Sequence, residues 1–187
     1  MDVRLMELCA KHTKPSEVVG KKIIDVGSYD INGSFRTVLS PMRPESYLGI
    51  DLEMGPGVDV VLPIDKLVSV FGKGGFDIVI STEAIEHIAD WRGAINTLKD
   101  LCKVGGMIYL TSRSKGFPYH GYPDDYWRYE QEDVAMIFAN WYIEVLCEDM
   151  WRGDHYGFFL KAVKTTHDKI CLDDVELYNI NTDKRQK

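Results

Sequence analysis

No apolar run in the 187-residue sequence approaches the roughly 18 to 20 residues that a membrane span requires, so no membrane partner is expected. The opening stretch MDVRLMELCAKHTK lacks a continuous apolar segment and a small-residue cleavage site. A secretory signal is therefore not expected, and the expected compartment is the cytoplasm. Cysteine is sparse: Cys9, Cys102, Cys147 and Cys171 stand 93, 45 and 24 residues apart, which fits neither a zinc pattern nor a dense disulfide framework. They read as free thiols, and no metal site is expected. Positive charge is in deficit, 22 Lys and Arg against 29 Asp and Glu, for a net charge of −7. Such a chain is a poor electrostatic partner for nucleic acid, whose nonspecific affinity comes from cations displacing counterions from phosphate. Internal repeats and low-complexity linkers are also missing.

What is present has the balance of a folded domain, with 45% hydrophobic and 27% charged residues. Residues 1–164 read as a single domain and residues 165–187, polar and of mixed charge, as a loosely held tail. A short N-terminal helix carries Val3, Leu5, Met6, Leu8 and Cys9, followed by a polar turn at His12 to Ser16. Strands are expected at Ile23 to Val26, at SYLGID ending in Asp51, at Val58 to Leu62, at Phe76 to Ser81 and at Met107 to Ser112. Trp91, Ala94, Ile95, Leu98, Leu101 and Cys102 recur at helical spacing, and Gly105-Gly106 reads as the stop. Another helix is expected at Glu130 to Ala139. Two late strands, Tyr142 to Cys147 and Tyr156 to Val163, are joined too closely for a crossover helix and suggest an antiparallel edge hairpin. The alternation implies a doubly wound, Rossmann-like α/β fold with a mostly parallel sheet.

In such a sheet, ligands bind beyond the carboxyl ends of the strands. The first of these ends, DVGSYDING, offers Asp25, Gly27 and Asp30; the second ends in Asp51, placed to accept the hydroxyls of a ribose. Gly27 and Asp51, 24 residues apart, form a nucleoside half-site that NAD, FAD and S-adenosylmethionine all satisfy. The loop discriminates among them. Tyr29 stands where a dinucleotide fold places its second glycine, with the acid Asp30 beside it, an arrangement that opposes a pyrophosphate and tolerates a sulfonium and an ammonium.

With IIDVGSYDING, YLGIDLEMGPGVDVV, FDIVISTEAIEHI, LKDLCKVGGMIYLTS and FPYHGYPDDYWRYE in order, the sequence from Lys22 to Phe138 resembles the class I S-adenosylmethionine-dependent methyltransferases, closest to the methyltransferase type 11 group. The resemblance implies S-adenosylmethionine as cofactor. It implies that Asp25, Gly27 and Ser28 line the methionine end, Asp51 binds the ribose, Leu52 and Leu62 touch the adenine, and Ser81, Thr82 and Glu83 sit beside the sulfonium. The Glu86-His87 pair is typical of the group; Glu86 also reads as a helix-starting acid.

The segment after the fifth strand gathers His120, Asp124, Asp125 and Arg128 with Tyr119, Tyr122, Tyr126, Trp127 and Tyr129. His120, ahead of His87, is the candidate base for an acceptor hydroxyl. Tyr119, Tyr122, Tyr126, Trp127 and Arg128 are candidates for the acceptor wall, or they pack a loop over the cofactor with Arg128 paired to an acid. The similar stretch in methyltransferases of glycan and secondary-metabolite pathways has a threonine where Glu130 stands. Three functions stay open: O-methyl transfer to a small molecule or sugar, N-methyl transfer to an amine or protein side chain, and a noncatalytic binding module. Residues 23–65 hold two basic against seven acidic residues and residues 120–155 two against nine, so the acid is concentrated in the cofactor half-site and from the acceptor loop onward.

Overall fold

A computed structural model describes residues 3–121, 123–151 and 154–187. The chain begins with helices α1 (Val3–His12) and α2 (Pro15–Val18), the second forming where a turn is expected, with Pro15 in its first turn. Strand β1 (Lys22–Val26) and helix α3 (Phe35–Leu39) follow, then β2 (Ser46–Asp51), β3 (Val60–Val61) and α4 (Leu67–Phe71). Next come β4 (Phe76–Thr82), α5 (Trp91–Leu101) and β5 (Cys102–Arg113). The remainder is β6 (Trp127–Arg128), α6 (Gln131–Ile137), β7 (Tyr142–Trp151), β8 (Asp154–Val163), β9 (Leu177–Asn179) and β10 (Lys184–Gln186). Among the described residues, no helix is long and apolar enough to cross a membrane.

The main sheet has the order β3-β2-β1-β4-β5-β8-β7. Strands β1 to β5 pair in parallel; β8 runs antiparallel to both β5 and β7, so the expected hairpin folds back and inserts its second strand beside β5. Alternation in β1 sends Ile24 and Val26 to one face and Ile23 to the other. On the first face α5 lays down Trp91, Ile95, Leu98 and Leu101; on the second, Leu5 and Cys9 of α1 and Phe35 and Leu39 of α3 close the core.

Three expectations change. The third strand shrinks to Val60–Val61, both exposed at the sheet edge. Gly105-Gly106 does not end the helix: α5 runs directly into β5, and Gly105, at φ +79°, lies where the register with β4 shifts between Phe76 and Ile78. Glycine tolerates that left-handed backbone. The polar tail is not loose. Leu172, Val175 and Leu177 are core residues, and β9 pairs with β6 and β10 in a second, antiparallel sheet. Three apolar residues among many polar ones suffice to anchor it, which average composition hides.

Candidate active site

Strand order reverses between β1 and β4, so the crevice above those two strands is where a ligand site belongs. The loops leaving them touch there. Gly27 has φ +83°, and a Cβ on it would lie 2.4 Å from Cβ of Ala84. Any side chain at position 27 would push the two loops apart.

The loops expected to form the cofactor half-site are held together largely by backbone. The N–H groups of Gly27 and Ser28 both donate to the Ile50 carbonyl, at 2.9 and 3.0 Å, and the Asp30 N–H donates to Pro56 at 2.8 Å. Asp51, at the tip of β2, accepts from the N–H groups of Tyr29 (3.0 Å) and Leu52 (2.7 Å), which fix its carboxylate. The Tyr29 ring packs onto Gly55 instead of over the first loop. Leu52, next to the acid in sequence, is exposed, as are Met54 and Ile31 in the neighbouring loops. Leu62 is different: it packs partly into the core. Asp25 is buried, and the Tyr47 hydroxyl donates to its Oδ2 at 2.7 Å. Burial pushes the Asp25 carboxyl up to about 6, against the opposing effect of that hydroxyl. Neither Asp25 Oδ1 nor Ser28 Oγ, both buried, has a hydrogen-bond partner among the described residues. Orphaned buried acceptors, a close backbone approach and clustered acid fit a cationic cofactor with polar groups to satisfy.

β4 ends in Ser81, which is buried, and Thr82, which is partly exposed; Glu83 follows it with its side chain largely buried. Glu83 is left-handed at φ 54°, uncommon for glutamate and a form of strain that collects at functional sites. It pairs with Arg113 and accepts from the Thr111 hydroxyl at 3.2 Å. Burial, reinforced by Glu86 and opposed by Arg113, pushes its carboxyl up to about 7.

The acceptor segment folds back over this loop. Tyr126 N–H donates to the Glu86 carbonyl at 2.9 Å, and Trp127 Nε1 donates to the Ile88 and Ala89 carbonyls at 3.1 Å each. This brings His120 to His87, rings 4.9 Å apart and edge to face, beside buried Glu86. His120 Nδ1 lies 2.9 Å from Asp125 Oδ2. Burial disfavours the charged ring, but hydrogen bonding to Asp125 and the nearness of Glu86 outweigh it and push His120 up to about 9. A ring so held carries a proton at neutral pH. The expectation of a neutral base at His120 becomes one of a proton held between Asp125 and Glu86. For Glu86, burial raises the carboxyl, but His120, His87 and Ser112 together hold it below its ordinary value.

For Trp127 and Arg128 the second of the two expected readings holds, loop packing with Arg128 paired to an acid. Arg128 is fully buried and directs its guanidinium to Asp125 and to the carbonyls of Phe117, Pro118 and Trp127. Its five N–H donors are all engaged, so none is left for an acceptor. Trp127 is buried with its indole N–H engaged. Tyr119 is exposed and Tyr126 partly so, its hydroxyl donating to Asp124 at 3.1 Å; Tyr122 lies outside the described residues. What the sequence reading missed is the convergence of Glu86, His87 and His120. Its trace in the sequence is the E-H pair and a histidine in the loop after the fifth strand, without a spacing that joins them.

A family model described as a methyltransferase domain matches residues 4–159. The chain is 28% identical over 108 residues to the ubiquinone biosynthesis O-methyltransferase of Pseudomonas aeruginosa (strain LESB58), covering 51% of this chain and 45% of that protein. It thus spans about half the length of the curated relatives it matches. The crystal structure of Burkholderia thailandensis 1,6-didemethyltoxoflavin-N1-methyltransferase, with 1,6-didemethyltoxoflavin and S-adenosylhomocysteine bound, has a TM-score of 0.67 at 13% identity over 87% of this chain and 79% of that one. An S-adenosylmethionine-dependent methyltransferase from Mesorhizobium loti gives 0.62 at 16% identity, over 84% and 96%.

Proposed function

Since this chain belongs to the methyltransferase domain family, as a class I S-adenosylmethionine-dependent methyltransferase, we propose that it methylates a hydroxyl oxygen of a small molecule, a sugar included. The observation that carries this reading is the cluster of Glu86, His87 and His120 beside the β1/β4 crevice, groups able to manage the proton of an oxygen nucleophile. S-adenosylmethionine, when bound, supplies a methyl group on a sulfonium, so the leaving group needs no help from the protein. The chain's own task is to bind, align and exclude water, and alignment alone is worth roughly 7 to 11 kcal/mol.

Asp51 and Leu52 would hold the ribose and adenine. Gly27, Ser28 and Asp25 would hold the methionine end, with Ser81, Thr82 and Glu83 bordering the sulfonium. Leu62 would support the adenine only from within the core. Tyr119 and Tyr126 would flank the acceptor, with His120 and His87 at its oxygen. Two hydroxyl-directed supports agree: the ubiquinone relative is an O-methyltransferase by name, and an oxygen nucleophile is the one that gains most from a proton acceptor, here Nε2 of His87, whose Nδ1 donates to the Asp124 carbonyl, while protonated His120 orients the oxygen. The local acidity and the toxoflavin N1-methyltransferase likeness favour the second reading, transfer to nitrogen. All four cysteines are free, which suits a reducing compartment such as the cytoplasm.

The test is turnover of S-adenosylmethionine to S-adenosylhomocysteine with panels of hydroxylated small molecules, sugars and amines, the products read by mass spectrometry. A methyl ether supports the proposal. An N-methyl product transfers it to the second reading, and cofactor binding without turnover across all panels sinks both.

A further inference from the structure

We propose that Glu86, His87 and His120 bind one divalent transition-metal ion. One ligand atom from each lies within 4.8 Å of the others. Glu86 Oε1 is buried and makes no hydrogen bond among the described residues. It faces Nε2 of His120 at 3.7 Å and Nε2 of His87 at 4.0 Å. Those distances are too long for hydrogen bonds. The two Glu86 separations suit an intervening ion, because two ligands each about 2.1 Å from one metal stand at most ~4.2 Å apart; the two imidazole nitrogens, within 4.8 Å, close by up to about 0.6 Å on binding.

The groups behind the ligands are already set. His87 Nδ1 lies 2.6 Å from the Asp124 carbonyl, which can only accept, so the hydrogen is on Nδ1. His120 Nδ1 faces the Asp125 carboxylate at 2.9 Å, with the same consequence. In both rings Nε2 is left as the ligating atom, and an ion there displaces any proton it carries. The Ser112 hydroxyl donates to Glu86 Oε2 at 2.8 Å, which fixes the carboxylate and leaves Oε1 for the metal. Asp125 is itself clamped by Arg128, so the support of His120 is rigid.

Two imidazoles and one carboxylate favour zinc, manganese or iron over magnesium and calcium, which prefer oxygen alone. The His87 and His120 side chains are 19% and 31% exposed, which leaves a path from solvent. Three protein ligands leave positions open for an acceptor oxygen. The binding site stands on side-chain geometry; its consequence for substrate class rests on the acceptor reading above. That class is a hydroxyl compound, best one with two neighbouring oxygens, able to complete the coordination.

The test titrates the full chain, stripped with EDTA and desalted, with Mn²⁺ followed by loss of the free-ion EPR signal, and with Zn²⁺ against a chromophoric chelator. One equivalent is expected, with Glu86→Gln, His87→Ala and His120→Ala each weakening affinity at least tenfold. His87 is partly exposed, so His87→Ala serves if the buried Glu86→Gln variant fails to fold. No stoichiometric binding, unchanged affinity in the folded variants, or a preference for Mg²⁺ overturns the assignment. S-adenosylhomocysteine binding, measured by calorimetry on the same metal-free samples, separates the two readings. Its absence in the wild type counts against the methyltransferase reading alone.

Discussion

Arg128 and Asp125 form a two-pronged ion pair inside the protein, Nη1 to Oδ1 at 2.6 Å and Nη2 to Oδ2 at 2.7 Å. Asp125 also accepts from the backbone N–H of His120, at 2.9 Å. The pair therefore ties the acceptor loop to one of its own histidines, and three carbonyls complete the arginine's coordination.

Arg128→Met is expected to destabilise the protein by about 3 to 5 kcal/mol, because Asp125 stays buried without its partner. Denaturant melts of the two proteins measure this. Arg128→Lys should recover only part of the loss, since an ammonium cannot reproduce the planar fork. A loss within error for Arg128→Met would show that the pair is dispensable.

Asp51→Ala is expected to weaken cofactor binding by about 2 kcal/mol or more, the scale of losing hydrogen bonds to a charged group. Calorimetry with S-adenosylhomocysteine reads it. Equal affinity in wild type and variant would remove Asp51 from the ribose.

For His120→Ala, turnover should fall while cofactor affinity stays near wild type. The ring sits in the acceptor segment, and its hydrogen-bonding partner Asp125 is outside the cofactor half-site. Persisting turnover would make the ring part of the wall alone.

Asp25 gives the pH dependence. Its carboxyl rises from 3.8 to about 6 on folding, so the folded protein holds the proton more tightly than the unfolded chain. That contribution to stability is complete below the unfolded value and is lost as pH rises through about 6. Asp25→Asn removes the loss. The cofactor-free variant should exceed wild type at about pH 7.5, by up to about 3 kcal/mol, and converge with it near pH 4. A gap independent of pH, seen in thermal melts, would contradict the assignment.

Leu177→Ala should cost about 2 to 5 kcal/mol, the range for emptying a buried leucine site. Leu177 is fully buried in the principal core. An effect below 1 kcal/mol would restore the picture of a loose tail.

The alternation of β-branched runs with helical periodicity made the sheet legible, because Ile23, Ile24, Ile78 and Ile80 must be covered on both faces. The positions of Asp51 and Gly27 were legible for a related reason: Asp51 ends β2 and Gly27 follows directly on β1, at the strand ends beyond which such a fold places ligands. The tail was not legible, since β9 is only three residues long and is stabilised by pairing with β6, a partner remote in sequence. For Trp127 and Arg128 the sequence left two readings open, acceptor wall or loop packing with Arg128 paired to an acid; the pairing with Asp125 matches the second, while the three carbonyls that complete it come from the folded path of the loop. The cluster around Glu86 was hidden for another reason. His87 is adjacent to Glu86 in sequence, but His120 reaches it only after the acceptor segment has folded back, and no spacing rule records that return.

The pairing of β6 with β9 also bears on the order in which the molecule is built. Ile180 N–H donates to the Tyr126 carbonyl at 2.9 Å, and the Asn181 side-chain amide donates to the Asp125 carbonyl at 2.8 Å. The backbone of the acceptor loop thus takes its final donors from residues translated some fifty positions later. Contacts that close long loops carry an entropic cost that slows folding. A nascent chain that stops short of residue 180 therefore lacks both donors that hold the backbone at Asp125 and Tyr126, and the segment carrying His120 is clasped only once the end of the chain is in place.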